Sequence, residues 1–305
     1  MNGSERPGSA PAWRPIGLRW TPDEQVALEW DAPAGRAPRL SPLPAGGRLA
    51  VLVGADRRCV GVRHAGRRIE CPLTAPLAPA ARRAQCEACG ALAATNSVAT
   101  DTSLLDDKRE YAVYLAHHGE LIKVGISRTE RGSARLLEQG ALASVVLSTG
   151  SLPAARRVER LLGAALGLPD RVSSSRKRRA RARPGTPAGR EAAVAAAIGD
   201  CQGLNWPPGQ ARRTPVITDH AHLYPLPEDG LRPVAAVRPL APGQQLAGTI
   251  VSRIGSDLYL ATDAGTVLLD VRLLAGWQLL RCAPDAEFTA PLQLLPAESQ
   301  QDQLF

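Results

Sequence analysis

The chain of 305 residues has few aromatic side chains, only 4% of the total, with two phenylalanines and one methionine. Lysine is also scarce: the 37 basic residues include only Lys108, Lys123 and Lys177, and the rest are arginine. No apolar run reaches the roughly 18 residues that a membrane-spanning helix needs, and the first residues carry no apolar signal core. These absences exclude a membrane or secreted protein and predict a cytoplasmic location.

The composition is otherwise that of a globular protein, with 44% hydrophobic residues and a net charge of +8. The length predicts two or three domains. The excess of arginine is explained first by a GC-rich genome, so charge alone does not identify a partner.

Four of the six cysteines, Cys59, Cys71, Cys86 and Cys89, lie in a turn-rich segment with the spacing C-x11-C-x14-C-x2-C. A chain of this kind is not expected to carry a disulfide scaffold. Four thiolates complete the tetrahedral shell of zinc, so the pattern predicts a structural zinc site. The alternative is four reduced cysteines without a metal. Seven neighbouring arginines are expected to favour the thiolate forms.

The clearest secondary-structure pattern lies between residues 109 and 170. The runs YAVYLA and LIKVGIS predict a β-hairpin, and His117 and His118 are expected to be exposed on its turn. Apolar residues at helical spacing, with Pro153 in the first turn, predict an amphipathic helix further along. The predicted elements are strands at 111–116, 121–127 and 141–149 and helices at 132–140 and 152–166.

A basic segment follows: residues 171–190 contain eight basic and no acidic side chains. The serine, proline and glycine between them predict a mobile linker. Its charges are expected to contact a nucleic-acid backbone without reading sequence, because no aromatic side chain is present for stacking. The alternative is a solvated linker without a partner. The predicted contact residues are Arg176, Lys177, Arg178, Arg179, Arg181 and Arg183.

Residues 246–272 predict three strands joined by tight turns. Together the patterns predict an α+β protein with a zinc-stabilised segment, a central antiparallel sheet with helices, and a β-rich, small barrel-like C-terminal region. The predicted parts are a Pro- and Trp-rich segment at 1–48, the four-cysteine segment at 49–100, the central core at 105–172, the basic linker at 173–195, the β-rich domain at 196–290 and a tail at 291–305.

The stretch YAVYLAHHGELIKVGISR, followed by ARLLEQGA, resembles the GIY-YIG nuclease superfamily, in a form with lysine in place of the second tyrosine. With CVG…CP…CEAC upstream and LAGTIVSRIGSDLYL downstream, it also resembles a bacterial family named domain of unknown function 2797. The family name implies no activity. The superfamily resemblance implies a GIY-YIG-like central core that hydrolyses phosphodiesters with a divalent metal.

The superfamily resemblance also implies a set of catalytic residues. Tyr114 takes the place of the first tyrosine and Lys123 that of the second. Arg135 takes the place of the arginine on the short helix. Glu159 takes the place of the glutamate that binds magnesium or manganese. The asparagine of some superfamily members has no clear counterpart here.

Phosphodiester hydrolysis needs an activated water and neutralisation of the phosphoryl charge. If residue 115 pairs with residue 122, Tyr114 lies opposite Lys123 across the hairpin. The charges of Lys123 and Arg135 are then expected to lower the pKa of Tyr114 towards that of a general base, while Arg135 clamps the phosphate. Each residue singly has a structural explanation, and only the set indicates a site.

The last five residues, Gln301-Asp302-Gln303-Leu304-Phe305, resemble the peptide by which bacterial replication and repair proteins bind the sliding clamp. This resemblance implies that Leu304 and Phe305 enter an apolar pocket while Gln301 makes polar contacts. The alternative is a tail that docks on its own protein.

These observations predict a nucleic-acid-associated protein with DNA as the expected partner. The first hypothesis is a divalent-metal-dependent phosphodiesterase, a GIY-YIG-like endonuclease of DNA repair or replication. The second is a catalytically inactive nucleic-acid-binding or clamp-associated adaptor, which the missing second tyrosine and asparagine favour. A third is a binder of small nucleotides or proteins.

Overall fold

The structure, a computed structural model, describes residues 12–21, 23–32, 37, 39–64, 67–95, 108–283 and 285–296. It is a mixed α+β protein, as predicted. The strands are β1 (Arg14–Trp20), β2 (Val26–Asp31), β3 (Arg39–Pro42), β4 (Arg48–Arg57), β5 (Val62–His64), β6 (Arg67–Ile69), β7 (Tyr111–His117), β8 (Ile122–Arg128), β9 (Ala143–Gly150), β10 (Gln210–Arg212), β11 (Thr218–Asp219), β12 (Ala235–Val237), β13 (Gln245–Ile254), β14 (Asp257–Thr262), β15 (Gly265–Asp270), β16 (Trp277–Arg281) and β17 (Leu292–Leu294). The helices are α1 (Glu87–Thr95), α2 (Ala134–Glu138), α3 (Leu152–Leu166), α4 (Ser174–Ala180) and α5 (Pro187–Gln202).

The central sheet has the strand order β10-β9-β7-β8, and β11 also pairs with β9. The hairpin β7–β8, strand β9 and helices α2 and α3 confirm the elements predicted there. On one face of the sheet, Leu115, Val158 and Val194 form a core with α3 and α5. The side chains of β7 alternate between faces, so Tyr114 lies on the other face, where it packs against Leu136 of α2.

A seven-stranded sheet with the order β16-β4-β13-β14-β15-β12-β17 curls into a half-barrel. The three strands predicted within 246–272 are β13, β14 and β15. Strand β4 lies between β13 and β16 because its residues Leu49 and Val53 are buried in the same core as Leu246 and Trp277. The half-barrel therefore extends beyond the predicted β-rich domain at 196–290, because nearly all of its strand β4 belongs to the predicted four-cysteine segment at 49–100.

The sheet β1-β2-β3 covers the half-barrel. Leu28 and Trp30 of β2 belong to the half-barrel core. Trp20 Nε1 donates a 2.8 Å hydrogen bond to the carbonyl oxygen of Gly255, which joins this sheet to the β13–β14 turn.

The region expected to be a mobile linker, 173–195, instead forms helix α4 and the first half of α5. Ser173 and Thr186 cap these helices, because their hydroxyl oxygens accept hydrogen bonds from the backbone N–H groups of Arg176 and Gly189. Helix α4 packs on the β7–β8 turn at Gly119, where a Cβ atom would lie 2.7 Å from that of Ala180. The linker prediction is therefore wrong.

Among the described residues, no helix combines the length and the apolar character that crossing a bilayer requires.

Candidate functional site

The register of the β7–β8 hairpin places two of the predicted site residues on one face. Tyr114 pairs with Gly125, and Lys123 pairs with Ala116. The expected direct pairing of Tyr114 with Lys123 is wrong by two residues, because the turn is centred one residue later along the chain and His117 pairs with Ile122. A shift of two residues keeps the same face, so Tyr114 and Lys123 are diagonal neighbours.

Gly125 makes room for the phenol ring of Tyr114. A Cβ atom at Gly125 would lie 2.5 Å from Tyr114 Oη, which is closer than any side chain tolerates. The glycine of the sequence signature therefore allows the ring to cross strand β8 and reach the end of α2.

Gln139, directly after α2, connects the groups of the site. Its Nε2 donates a 2.7 Å hydrogen bond to Tyr114 Oη, and its Oε1 accepts a 3.0 Å hydrogen bond from Lys123 Nζ. The backbone oxygen of Gln139 accepts a 2.9 Å hydrogen bond from Lys177 Nζ. Lys123 Nζ also donates to the backbone oxygen of Asp170 at 2.9 Å. We call this arrangement the Gln139 site.

Two further predicted residues act electrostatically on the Gln139 site. Arg135, on α2, influences the ionisation of both Tyr114 and Lys123, and so does Glu159, on α3. Arg135 is partly exposed and lies 3.6 Å from the carboxylate of Glu138. The structure thus brings together Tyr114, Lys123, Arg135 and Glu159, and it adds Gln139 and Lys177, which the sequence motif did not indicate for this site.

The phenol of Tyr114 is not activated as a base. Burial raises the pKa of Tyr114, and this effect exceeds the opposing influence of the hydrogen bond from Gln139 and the charge of Arg135. Only 2% of the residue is exposed. The expected lowering of this pKa is therefore wrong, because removal of the phenol from water outweighs the nearby positive charges.

The two lysines of the Gln139 site have low pKa values. Burial and the charge of Arg135 lower the pKa of Lys123 to about 8, and burial and the charge of Lys123 lower that of Lys177 to about 7. Burial also raises the pKa of Glu159, whereas the positive charge of Lys123 acts to lower it. Burial is the main cause of both low lysine values, and a bound anion would stabilise both ammonium groups.

The four cysteines of the sequence motif come together in a second cluster. The Sγ atoms of Cys59, Cys71, Cys86 and Cys89 all lie within 4.8 Å of one another, and those of Cys71 and Cys86 are 3.9 Å apart. Four sulfurs held about 2.3 Å from a tetrahedral metal lie about 3.8 Å apart. The cluster therefore has the dimensions of a four-thiolate site and can hold a metal ion.

Backbone amides, rather than arginines, surround these sulfurs. Cys59 Sγ accepts hydrogen bonds from the N–H groups of Cys86 at 3.2 Å and Gly61 at 3.4 Å. An amide hydrogen bond from Ala75 lowers the pKa of Cys71 to about 7, whereas burial raises the pKa of Cys59 and of Cys89.

Several of the arginines around the cluster have other partners. Arg63 pairs with Glu29, and Arg68 Nη1 lies 2.6 Å from a carboxylate oxygen of Asp31. Arg57 donates to backbone oxygens, including that of Ala275 at 3.0 Å, so it attaches the cysteine segment to the half-barrel. The expectation that arginines ionise the thiols is not supported.

Helix α4 and Arg181, which directly follows it, use half of the predicted nucleic-acid-binding charges internally. Arg178 Nη2 lies 2.5 Å from Asp257 and 2.9 Å from Asp270, and Arg181 Nη1 lies 2.6 Å from Asp257. Lys177 belongs to the Gln139 site. The residues that remain exposed are Arg176, Arg179 and Arg183.

The two histidines of the hairpin turn are buried, contrary to expectation. His117 is 6% exposed and His118 is 2% exposed, because α4 covers the turn. His118 Nδ1 lies 3.1 Å from the backbone oxygen of Gly140. The predicted clamp-binding residues Gln301, Leu304 and Phe305 lie outside the described residues.

Comparison with known proteins gives one family. Residues 64–279 match the model of a family described as "Protein of unknown function (DUF2797)". No curated protein and no solved structure matches the chain. The family match covers most of the chain, including the hairpin, the Gln139 site and most of the half-barrel, and it confirms the family resemblance drawn from the sequence motifs. The chain therefore belongs to the DUF2797 family.

Proposed function

We propose that this protein binds nucleic acid, with DNA as its partner, and that the Gln139 site holds a backbone phosphate. The observation that carries the proposal is the convergence of Lys123, Lys177 and Arg135 around Gln139. Three cationic side chains and the hydroxyl of Tyr114 offer a phosphate both charge and hydrogen-bond donors. We interpret the surrounding sheet and helices as GIY-YIG-like.

Binding is favoured over cleavage by the state of the acid and base groups. Tyr114 is buried and its pKa is raised, so it is neutral and is not a general base. The exposed guanidinium groups of Arg135, Arg176 and Arg179 extend the positive surface along α2 and α4. These features are expected of an adaptor protein that binds nucleic acid at this site but does not hydrolyse it.

The first prediction concerns affinity for duplex DNA. Arg135→Ala and Lys177→Met are each expected to weaken binding about tenfold, since a charge-assisted hydrogen bond contributes about 1.5–3 kcal/mol. The log–log slope of affinity against salt concentration should fall by about 0.9 for each phosphate that the variant no longer neutralises. Fluorescence anisotropy over a range of salt concentrations measures both quantities.

The matched control is Arg160→Ala on α3, where an exposed arginine donates only to the backbone oxygen of Arg156 among the described residues. Its affinity should change less than twofold. Equal affinities for the wild type, Arg135→Ala and Lys177→Met would show that the Gln139 site is not the phosphate site.

The second prediction is a loss of DNA affinity with rising pH. Lys177 and Lys123 are protonated below pKa values of about 7 and about 8, and a bound phosphate raises both values. Affinity should therefore be highest below pH 7 and fall as the pH rises through 7 to 9. Arginines keep their charge over this range, so Lys177→Met should flatten the profile, and a flat wild-type profile would contradict the assignment.

A second candidate function is metal-dependent phosphodiester hydrolysis, which the closeness of Glu159 to the cationic groups favours. One carboxylate with water ligands is sufficient to bind magnesium or manganese beside a phosphate. Cleavage assays with each metal, on wild type, Tyr114→Phe and Glu159→Ala, test this candidate. Exposed Glu191 on α5 provides the control Glu191→Ala. Metal-dependent cleavage that Glu159→Ala abolishes and Glu191→Ala preserves would establish the enzyme.

We further propose that the four-cysteine cluster binds a structural zinc ion in a cytoplasmic protein. Four cysteine ligands leave no coordination position for chemistry, so the metal would stabilise the segment that precedes the central core. The clamp-binding proposal for Gln301, Leu304 and Phe305 rests on their sequence alone.

A further inference from the structure

A cleft of about 480 Å³ lies beside the central sheet, on the face that carries Tyr114. Its volume is within the range of about 300–1,000 Å³ found for small-ligand sites. The lining includes Tyr114 but none of Lys123, Arg135 and Lys177. The cleft is therefore a separate site that adjoins the Gln139 site through one shared side chain.

A buried pair of polar side chains lines the cleft. Ser144 Oγ, on β9, lies 2.8 Å from Nε2 of His220, which directly follows β11. His220 is 1% exposed, and its Nδ1 has no hydrogen-bond partner among the described residues. Such a pair is able either to activate the serine as a nucleophile or to orient its hydroxyl towards a ligand.

The pKa of His220 distinguishes between these two roles. Burial lowers the pKa of His220 to about 4, so the imidazole is neutral but is a weak proton acceptor at pH 7. An efficient general base has a pKa near the working pH. The pair is therefore suited to orienting the Ser144 hydroxyl as a hydrogen-bonding group.

The charges that line the cleft favour an anion. Arg213 is exposed and has no side-chain partner among the described residues. Arg128 is the second cation; its Nε donates a 3.4 Å hydrogen bond to Tyr111 Oη, and its Nη1 lies 3.9 Å from the carboxylate of Glu130, outside the lining. Within the described part of the chain, Glu24 is the only acidic residue of the lining, so positive charge is in excess.

The remaining lining includes exposed apolar side chains. Val146 is 37% exposed and Val216 is 72% exposed, and both face the cleft. Exposed valines beside the guanidinium of Arg213 match a ligand that has a weakly polar body and an anionic end.

We infer that this cleft binds a nucleoside phosphate, either free or as one unit of a single strand. In this arrangement the phosphate contacts the guanidinium group of Arg213. The base and the sugar pack against Val146 and Val216, and the Ser144 hydroxyl forms a hydrogen bond with the nucleoside.

The test is calorimetric titration with nucleoside 5′-monophosphates, tetranucleotides and inorganic phosphate. Arg213→Ala should weaken nucleotide binding about tenfold, because the phosphate then lacks its charge-assisted hydrogen bond to the guanidinium. The matched control is Arg212→Ala, whose guanidinium stacks on Trp206 at 4.7 Å and donates to Leu204, away from the cleft. The control should change affinity less than twofold.

A second variant, Val216→Asp, places a carboxylate in the cleft at an exposed position and should abolish binding without affecting folding. Tighter binding of tetranucleotides than of monophosphates identifies a strand unit, and the reverse identifies a free nucleotide. Binding that survives Val216→Asp, equal affinity for inorganic phosphate, or no binding of any nucleotide would overturn the inference. Arg135→Ala and Lys177→Met should leave monophosphate binding unchanged, which separates this inference from the proposed DNA function.

Discussion

Alanine in place of Asp257 should lower the free energy of unfolding by about 3–5 kcal/mol, the usual cost of removing one partner from a buried ion pair. Asp257 is 3% exposed and is the common partner of Arg178 and Arg181. Its removal leaves Arg181, itself buried, with only the hydroxyl of Tyr259 at 3.3 Å as a side-chain partner among the described residues. The guanidinium charge of Arg181 would then be buried without compensation, and the pair of Arg178 with Asp270 would remain as an ion pair between α4 and the half-barrel.

Urea unfolding followed by circular dichroism measures this effect as a lower midpoint. The control is Asp263→Ala, in the exposed turn between β14 and β15, where a surface substitution changes stability by no more than about 0.5 kcal/mol. A decrease below about 1 kcal/mol for Asp257→Ala would mean that the ion-pair network does not hold α4 in place. Because α4 carries Lys177, the variant should also weaken the proposed DNA binding.

On the zinc proposal, serine in place of Cys89 should remove the metal and unfold the cysteine segment. Cys89 is 6% exposed and belongs to the four-sulfur cluster. Apparent binding free energies of structural zinc are about 10–16 kcal/mol in small zinc-binding peptides, and a segment with few large apolar side chains depends on that energy for its folding. Metal analysis by mass spectrometry and limited proteolysis between residues 59 and 95 measure the two effects.

The control for the cysteine experiment is Cys282→Ser, because Cys282 lies outside the cluster. It should keep a full equivalent of metal and the same protease resistance. A folded wild-type protein with less than half an equivalent of metal would overturn the zinc proposal. Unchanged protease resistance in Cys89→Ser would show that the segment folds without the metal.

The sequence predicted the local elements of the fold well. Apolar spacing predicted α3, and alternation with turn residues predicted the hairpin β7–β8 and the strands β13 to β15. The pairing of β4 with β13 and β16 was not predicted, because contacts between distant segments leave no local pattern. Helix α4 was missed for the same reason: its charges are matched by Asp257 and Asp270, far along the chain.

The candidate site was predicted in part. The motif placed Tyr114, Lys123, Arg135 and Glu159 in one region, and the structure brings them together. Gln139 lies one helical turn after Arg135, a spacing that puts side chains on the same helix face, and this was the signal available for it. The ionisation state of Tyr114 was predicted wrongly, because its burial depends on how α2 packs over the sheet.

The pairing of β4 with β13 and β16 implies that the half-barrel is completed late during synthesis. The ribosome releases β4 before the whole central sheet, but the two strands that flank it, β13 and β16, are released only after that sheet. The hairpin β7–β8 closes over a few residues, so the central sheet forms while the apolar face of β4 still awaits its neighbours. Completion of the half-barrel thus follows that of the central sheet, and until then the nascent chain exposes an unpaired strand that is prone to aggregation.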